Sequence, residues 1–272
     1  MTRVLLTGAS GGVGTRLRKL LPAHYPQLRL SDLQPPTDLR SDEEFVAADL
    51  ADAAAVERMA EGMDAIIHFG AFSVEGPWDT ILNANIVGTY NLFEAARRQG
   101  VKRVVFASSN HVVGFYPRDQ RINTEATALP DTLYGVSKTF GEGLAAFYAH
   151  KFGLRVLCLR IGNINEQALD LRHLSIWLKP EDLVQLIRIG VEHPDLNYEI
   201  FYGVSDNVRG WWDNANAYRY GYKPSGESED FVQMALEGQV AKPADPVGDY
   251  FQGGPFCSQG FQGDFERLKQ RD

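Results

Sequence analysis

The sequence predicts an α/β fold built on a doubly wound parallel sheet, and three observations carry that prediction. An apolar run from Arg3 to Thr7 leads directly into the glycine-rich Gly8-Ala-Ser-Gly11-Gly12-Val13-Gly14, and a helical pattern follows. A second apolar run, Leu28 to Asp32, ends on an acid about 24 residues after Gly8. Short apolar runs then alternate with helical stretches as far as Tyr202, the pattern of strands buried on both faces and joined by crossover helices. The chain has 272 residues, 44% of them hydrophobic, which is ample for a sizeable core. No repeat or low-complexity linker marks a boundary. We expect residues 1–272 to form one Rossmann-type α/β domain, with a small C-terminal capping region drawn mainly from residues 163–272.

Composition narrows the partners. A net charge of -8 argues against binding to nucleic acid or to an anionic membrane. It does not exclude an anionic small molecule, since one arginine can dominate a pocket. Cys158 and Cys257 stand far apart, so neither a disulfide framework nor a cysteine metal site is expected, and no metal is called for. No secretory leader fits the start and no apolar stretch is long enough to span a bilayer. These readings predict a soluble, cytoplasmic protein.

Taken in order, the glycine loop comes first. Its glycines permit a tight turn and close backbone approach, and the following helix N-terminus attracts a pyrophosphate. Gly8, Gly11, Gly12, Val13 and Gly14 are therefore candidate cofactor contacts. Asp32, ending the second strand, is placed to accept hydrogen bonds from the adenosine ribose and would repel a 2′-phosphate. Leu33 and Gln34 follow it, with no adjacent arginine to receive that phosphate, so NAD is expected over NADP. A third strand, Phe45 to Ala48, delivers Asp49 and Leu50 to the carboxyl edge of the sheet. Asp52 caps the next helix, and a fourth strand, Ala65 to Phe69, closes on Gly70. Ser73 lies just beyond, as a candidate substrate contact.

A long helix from Trp78 to Arg98 carries Asn85. The fifth strand, Val104 to Ala107, brings Ser108-Ser109-Asn110-His111 to the sheet edge, where Ser109 can hydrogen-bond a reacting oxygen. His111 reads as structural. Leu133-Tyr134-Gly-Val-Ser-Lys138 opens the next helix, and Tyr134 and Lys138, four apart, share one face. A phenol holds its proton to a pKa of about 10. An adjacent ammonium, with the positive charge of an oxidised nicotinamide, favours the phenolate, which can then serve as base toward a substrate hydroxyl. Beyond it come a sixth strand (Arg155 to Arg160), Ile161-Gly162-Asn163, a helix opening at Pro180 and a seventh strand (Tyr198 to Tyr202). Trp211, Trp212, Tyr218, Tyr220 and Tyr222 read as packing. The tail from Gly248 to Phe265 is expected to dock on the body or on a neighbouring subunit.

With these residues assembled, the chain resembles the extended short-chain dehydrogenase/reductases. The likeness rests on Thr7-Gly-x-x-Gly-x-x-Gly14, Asp32, Asp49-Leu50, Asn85, Ser109, and Tyr134 with Lys138. More narrowly it resembles the uronate dehydrogenases, through Phe106-Ala-Ser-Ser-Asn-His111, Arg160-Ile-Gly162, Arg172 before Leu174-Ser175-x-Trp177, Gly210-Trp-Trp-Asp-Asn214 and Phe251-Gln-Gly-Gly-x-Phe256. The resemblance implies NAD-dependent oxidation of a hexuronic acid such as glucuronate or galacturonate at C1, giving the aldaro-1,5-lactone. It implies Tyr134 as base, Lys138 on the phenol and the nicotinamide ribose, and Ser109 on the reacting oxygen. Asn85 is implied near the cofactor. Ser73 and Asn110 would meet sugar hydroxyls, and Arg172 the C6 carboxylate, where a planar guanidinium offers two parallel hydrogen bonds. Asn163 stands where the family pattern has a small hydroxyl residue, which puts the preference between the two uronates in question. A homo-oligomer is also expected.

Two rival readings remain open at this stage. An NAD-dependent nucleotide-sugar epimerase or dehydratase would use the same fold, but needs more chain after Lys138 to grip a nucleoside diphosphate. An NAD-binding redox sensor would need neither Tyr134 nor Lys138.

Overall fold

The computed structural model describes residues 2–240 and 242–270. In chain order the elements are β1 (Val4–Thr7), α1 (Gly12–Leu20), β2 (Leu28–Asp32), β3 (Glu44–Ala47), α2 (Ala53–Ala60) and β4 (Ala65–His68). Then come α3 (Trp78–Ile81), a π-helical segment (Leu82–Val87), α4 (Gly88–Arg98), β5 (Arg103–Ser109), α5 (Leu133–Phe152), β6 (Arg155–Ile161), β7 (Asn163–Ile164), α6 (His173–Ile176) and β8 (Trp177–Leu178). The chain continues through α7 (Pro180–Glu192), β9 (Tyr198–Gly203), α8 (Ala215–Arg219), α9 (Val232–Val240), α10 (Pro246–Tyr250) and α11 (Pro255–Ser258).

Seven strands form one sheet in the order β3-β2-β1-β4-β5-β6-β9, and every pairing is parallel. Side chains alternate across each strand. Val4 and Leu6 therefore pack with Leu17 of α1 and Leu183, Leu186 and Ile187 of α7. Leu5 faces the other way, onto Met59, Phe93 and Tyr148 of α2, α4 and α5. Strand order reverses direction between β1 and β4, and the crevice beyond their carboxyl ends is where such sheets take ligands. A separate two-stranded ladder, β7 with β8, lies just beyond β6. No described helix is long and apolar enough to cross a membrane.

Several expected boundaries move, β4, β6 and β9 each ending one residue from the expected position. The third strand is Glu44–Ala47 rather than Phe45 to Ala48. The fifth runs Arg103–Ser109, so Ser108 and Ser109 sit within the paired strand, opposite Arg160 and Ile161 of β6. The long helix from Trp78 to Arg98 is interrupted by the π-helical turn at Leu82–Val87. The wider turn carries Asn85 inward, where its amide clamps the backbone N–H and carbonyl of Phe72 (2.8 and 2.9 Å) and donates to Ser137 Oγ (3.0 Å).

Of the aromatics after β9, Trp212 and Tyr222 are buried as expected, whereas Tyr218 is 48% exposed. Tyr222 is buried with its hydroxyl on the Val204 carbonyl, and Trp212 stacks on Tyr202 at 4.9 Å with the planes 8° apart. The tail docks on the body: Phe251 bridges Pro117, and Gln252 N–H donates to the Tyr116 carbonyl.

Candidate active site

The carboxyl edge of the sheet holds a cavity of about 640 Å³, with the glycine loop and Asp32 in its wall at one end and Tyr134 and Lys138 at the other. Its wall includes Gly8, Gly11, Gly12, Val13 and Gly14. The loop turns through Gly8 at φ +72°, where a Cβ would lie 2.6 Å from the Phe69 backbone, and a Cβ on Gly14 would lie 1.9 Å from the Gly8 carbonyl oxygen. Only hydrogen fits at these two positions. Gly12, by contrast, meets nothing nearer than Arg16 at 3.8 Å.

Asp32 is held by the loop it faces: one oxygen accepts from Ser10 N–H (2.9 Å) and the other from Leu33 N–H (2.7 Å). A smaller cavity of about 240 Å³ adjoins it, lined by Asp32, Asp49, Leu50, Gly70 and Ala71 among others. The two together form a trough with oriented N–H groups at a helix start, a ribose-sized acidic end and an apolar side pocket. That combination fits a dinucleotide. Asn85 is not brought to either cavity. Its amide is spent on Phe72 and Ser137, so it shapes the loop leading to Ser73 from behind.

Thr132 caps α5, its hydroxyl accepting from Gly135 N–H (3.0 Å), and Glu75 accepts from Tyr134 N–H (3.0 Å). This start sets Tyr134 and Lys138 beside the end of β5. Burial pushes the Tyr134 phenol up to about 12, opposed by a hydrogen bond with Ser109 and reinforced by the charge of Asp131. Burial pushes the Lys138 ammonium down to about 8. Its Nζ donates to the Ala107 carbonyl (2.7 Å) and stands 5.6 Å from the centroid of the Tyr134 ring. The expected lowering of the phenol pKa joins Lys138 to the charge of an oxidised nicotinamide; among the protein's own groups burial is the largest influence and opposes it. Under Lys138 lies His68, pushed down to about 3 by burial and by the lysine charge, with Nδ1 2.7 Å from Thr7 Oγ1. It adds no second cation there.

Ser73, Ser109, Asn110, His111 and Asn163 all line the large cavity. His111 Nδ1 meets Asp131 Oδ2 at 2.7 Å and its ring stacks on Phe256 at 4.0 Å. Asn163 Oδ1 is buried with no hydrogen-bond donor among the described residues. An orphaned acceptor in a cavity wall is costly and suits a ligand hydroxyl. Arg172 does not line the cavity itself. It reaches the edge through Asn110, whose amide, oriented so that its nitrogen donates to the Ile161 carbonyl (2.9 Å), accepts from Arg172 Nη2 (3.0 Å). Arg172 Nε donates to the Gln252 carbonyl (2.9 Å). No carboxylate pairs with this guanidinium among the described residues, and burial pushes its pKa down to about 10.

Several residues around the site gave no readable signal. Arg16 lines the cavity, donating to Asn165 Oδ1 (3.2 Å). Behind Ser109, Glu142 binds Arg160 through both oxygens (2.9 and 2.9 Å) and accepts from Ser108 Oγ (2.6 Å). An acid two turns along a helix looks like any other, and its partner lies 18 residues away. Arg160 alone stood inside a noted motif.

A parallel sheet of this order, closed over a glycine loop and faced by a Tyr–Lys helix, is the scaffold of the extended short-chain dehydrogenase/reductases. The model of the NAD dependent epimerase/dehydratase family matches residues 4–165. The uronate dehydrogenase of Pseudomonas putida is 47% identical over 259 residues, covering 95% of this chain and 96% of that protein. A glucuronic acid dehydrogenase structure from Chromohalobacter salexigens superposes with a TM-score of 0.90 at 44% identity, over 94% of this chain and 97% of that one. A mutant uronate dehydrogenase from Agrobacterium tumefaciens, complexed with NAD, gives 0.90 at 43% identity, over 95% and 97%. The chain belongs to the NAD dependent epimerase/dehydratase family and, within it, to the uronate dehydrogenases.

Proposed function

We propose that this protein oxidises hexuronic acids, glucuronate and galacturonate, at C1 of the pyranose to the aldaro-1,5-lactone, with hydride transfer to NAD. The observation that carries the reading is a buried phenol and serine sharing one cavity wall with Asn110, which in turn holds a guanidinium that no carboxylate pairs with among the described residues. NAD, when bound, supplies the hydride acceptor and a positive charge. Gly8 to Gly14, Asp32, Asp49 and Leu50 would hold it.

The chain's own residues do the rest. Tyr134 acts as the phenolate, its own proton already passed to solvent: Oη takes the proton of the anomeric hydroxyl as C1 loses hydride, so the C1–O bond becomes the lactone carbonyl. Ser109 Oγ donates to that oxygen and fixes it against the phenol. The Lys138 ammonium, 5.6 Å from the ring, favours the phenolate once formed. Ser73, Asn110 and Asn163 hold ring hydroxyls, and Arg172 pairs with the C6 carboxylate. We further propose that the protein is cytoplasmic and a homo-oligomer. Exposed Val136, Phe140 and Phe147 along one face of α5 support assembly.

The test is NADH absorbance after mixing protein and NAD with glucuronate, galacturonate, glucose or UDP-glucose. NADH growth with the two uronates alone is expected. Silence with both, or turnover of UDP-glucose instead, removes the reading and favours a nucleotide-sugar enzyme.

A further inference from the structure

The tail motif at Phe251–Phe256 and the Trp211–Trp212 run take no part in the chemistry above, yet they meet at one buried side chain, Gln252. Its amide nitrogen donates to the Pro117 and Gln120 carbonyls (2.9 and 2.8 Å), and its amide oxygen accepts from Trp212 Nε1 (2.7 Å). Both N–H bonds of the amide are thereby used. Trp212 is in turn stacked on Tyr202 of β9, whose hydroxyl donates to the Asn123 carbonyl (2.9 Å). The peptide around Gln252 is thus tied to the sheet through a saturated network. The backbone carbonyl of that same residue accepts from Arg172 Nε. Two residues on, Gly254 sits at φ +68°, and a Cβ there would lie 2.6 Å from Arg172 Cδ and Nε. Arg172 is therefore gripped on one side by the tail and on the other by Asn110.

We propose that Gln252 is a positioning residue for Arg172: locked by Trp212, Pro117 and Gln120, it fixes the guanidinium so that its remaining N–H edge faces the substrate carboxylate. An arginine side chain has four rotatable bonds, and a group held before the ligand arrives binds it more tightly than one that must first be ordered. The inference rests on the reading of Arg172 as the carboxylate partner. It makes the C-terminal tail part of the recognition of uronates.

The experiment compares Gln252→Leu, Trp212→Phe, Arg172→Ala and the Gln252→Leu/Arg172→Ala double variant by steady-state kinetics, with thermal melting as the check on folding. Gln252→Leu should raise the KM for glucuronate about tenfold, with kcat and the KM for NAD within about threefold of the parent. Trp212→Phe keeps the stack on Tyr202 and should move the same constant in the same direction by about threefold. In the Arg172→Ala background, Gln252→Leu should add nothing further, because the group it positions is gone. A folded Gln252→Leu protein with unaltered KM for glucuronate, beside an impaired Arg172→Ala, overturns the positioning role alone. Additive losses in the double variant do the same. If Gln252→Leu does not fold, an unchanged KM in Trp212→Phe decides against it. An unchanged KM in Arg172→Ala instead removes the carboxylate reading itself.

Discussion

Glu142 stands two turns beyond Tyr134 on α5 and closes a bidentate, buried ion pair with Arg160 of β6, each N···O distance 2.9 Å. The pair ties the helix that carries the phenol to the strand that ends at Ile161. Glu142 also holds Ser108, next to Ser109. Arg160→Met is expected to cost about 3–5 kcal/mol by leaving a buried carboxylate uncompensated, read as a shift in denaturant midpoint. The double variant with Glu142→Leu should lose less than Arg160→Met alone. A double variant worse than the single would mean that the pair itself, not the stranded charge, supplies the stability.

Lys138 is predicted to be costly to fold and necessary to the reaction. Burial holds its pKa at about 8 against an ordinary 10.5. The folded protein therefore binds fewer protons than the unfolded chain between those values, and stability rises with pH across that window. The penalty is full below pH 8 and gone above 10.5. Lys138→Met should be more stable than the parent at pH 7 by on the order of 1–3 kcal/mol, after the lost bond to Ala107 is counted, and nearly inactive. The gain should fade as pH passes 10. A destabilised variant at pH 7, or a gain that does not change with pH, defeats the account.

Tyr134→Phe removes the hydroxyl of the proposed base and leaves its ring in the cavity wall. We expect kcat to fall by about 10²–10⁴ with NAD affinity near that of the parent, measured by fluorescence titration and by NADH formation. Large residual activity would take the phenol out of the mechanism.

Asp32 is expected to select against a 2′-phosphate, and it also holds Ser10 N–H of the glycine loop. Asp32→Ala should raise the KM for NAD and narrow the preference for NAD over NADP by about tenfold or more. An unchanged ratio would put the selection elsewhere.

Asn163 carries a buried oxygen without a donor, so shortening it should cost little stability. Asn163→Ala is expected to melt at or above the parent temperature, because an orphaned acceptor costs about 1–3 kcal/mol, while the KM for uronates rises. A marked drop in melting temperature with unaltered KM would make Asn163 structural.

The cofactor half of this molecule was legible because its parts are local. A glycine loop, the acid closing β2 and a Tyr–Lys pair one helical turn apart each lie within a few residues, and backbone geometry demands them. Leu28–Asp32 fell where the pattern put it. The substrate half was less legible because its contacts are distant. Arg172 reaches Gln252 across 80 residues, and His111 reaches Asp131 across 20. For the phenol, the sequence names the ammonium beside it but not the depth of burial that opposes it. Asn85 was placed near the cofactor by the resemblance alone; in the structure the π-helical segment carries its amide onto Phe72 and Ser137 instead.

That segment has a consequence for what the chain can tolerate. A π turn equals an α-helix with one residue inserted, so deleting Asn83 or Ile86 would return the segment to α-helix, with the flanking turns kept nearly in phase and only the bulge lost. Asn85 would then swing away from Phe72 and Ser137, releasing the loop before Trp78 and loosening the start of α5 together. The extra residue works as a spacer that pushes one amide inward from an otherwise continuous helix. Deleting Asn83 or Ile86, harmless to helicity, should unmake the site without removing any residue that lines it.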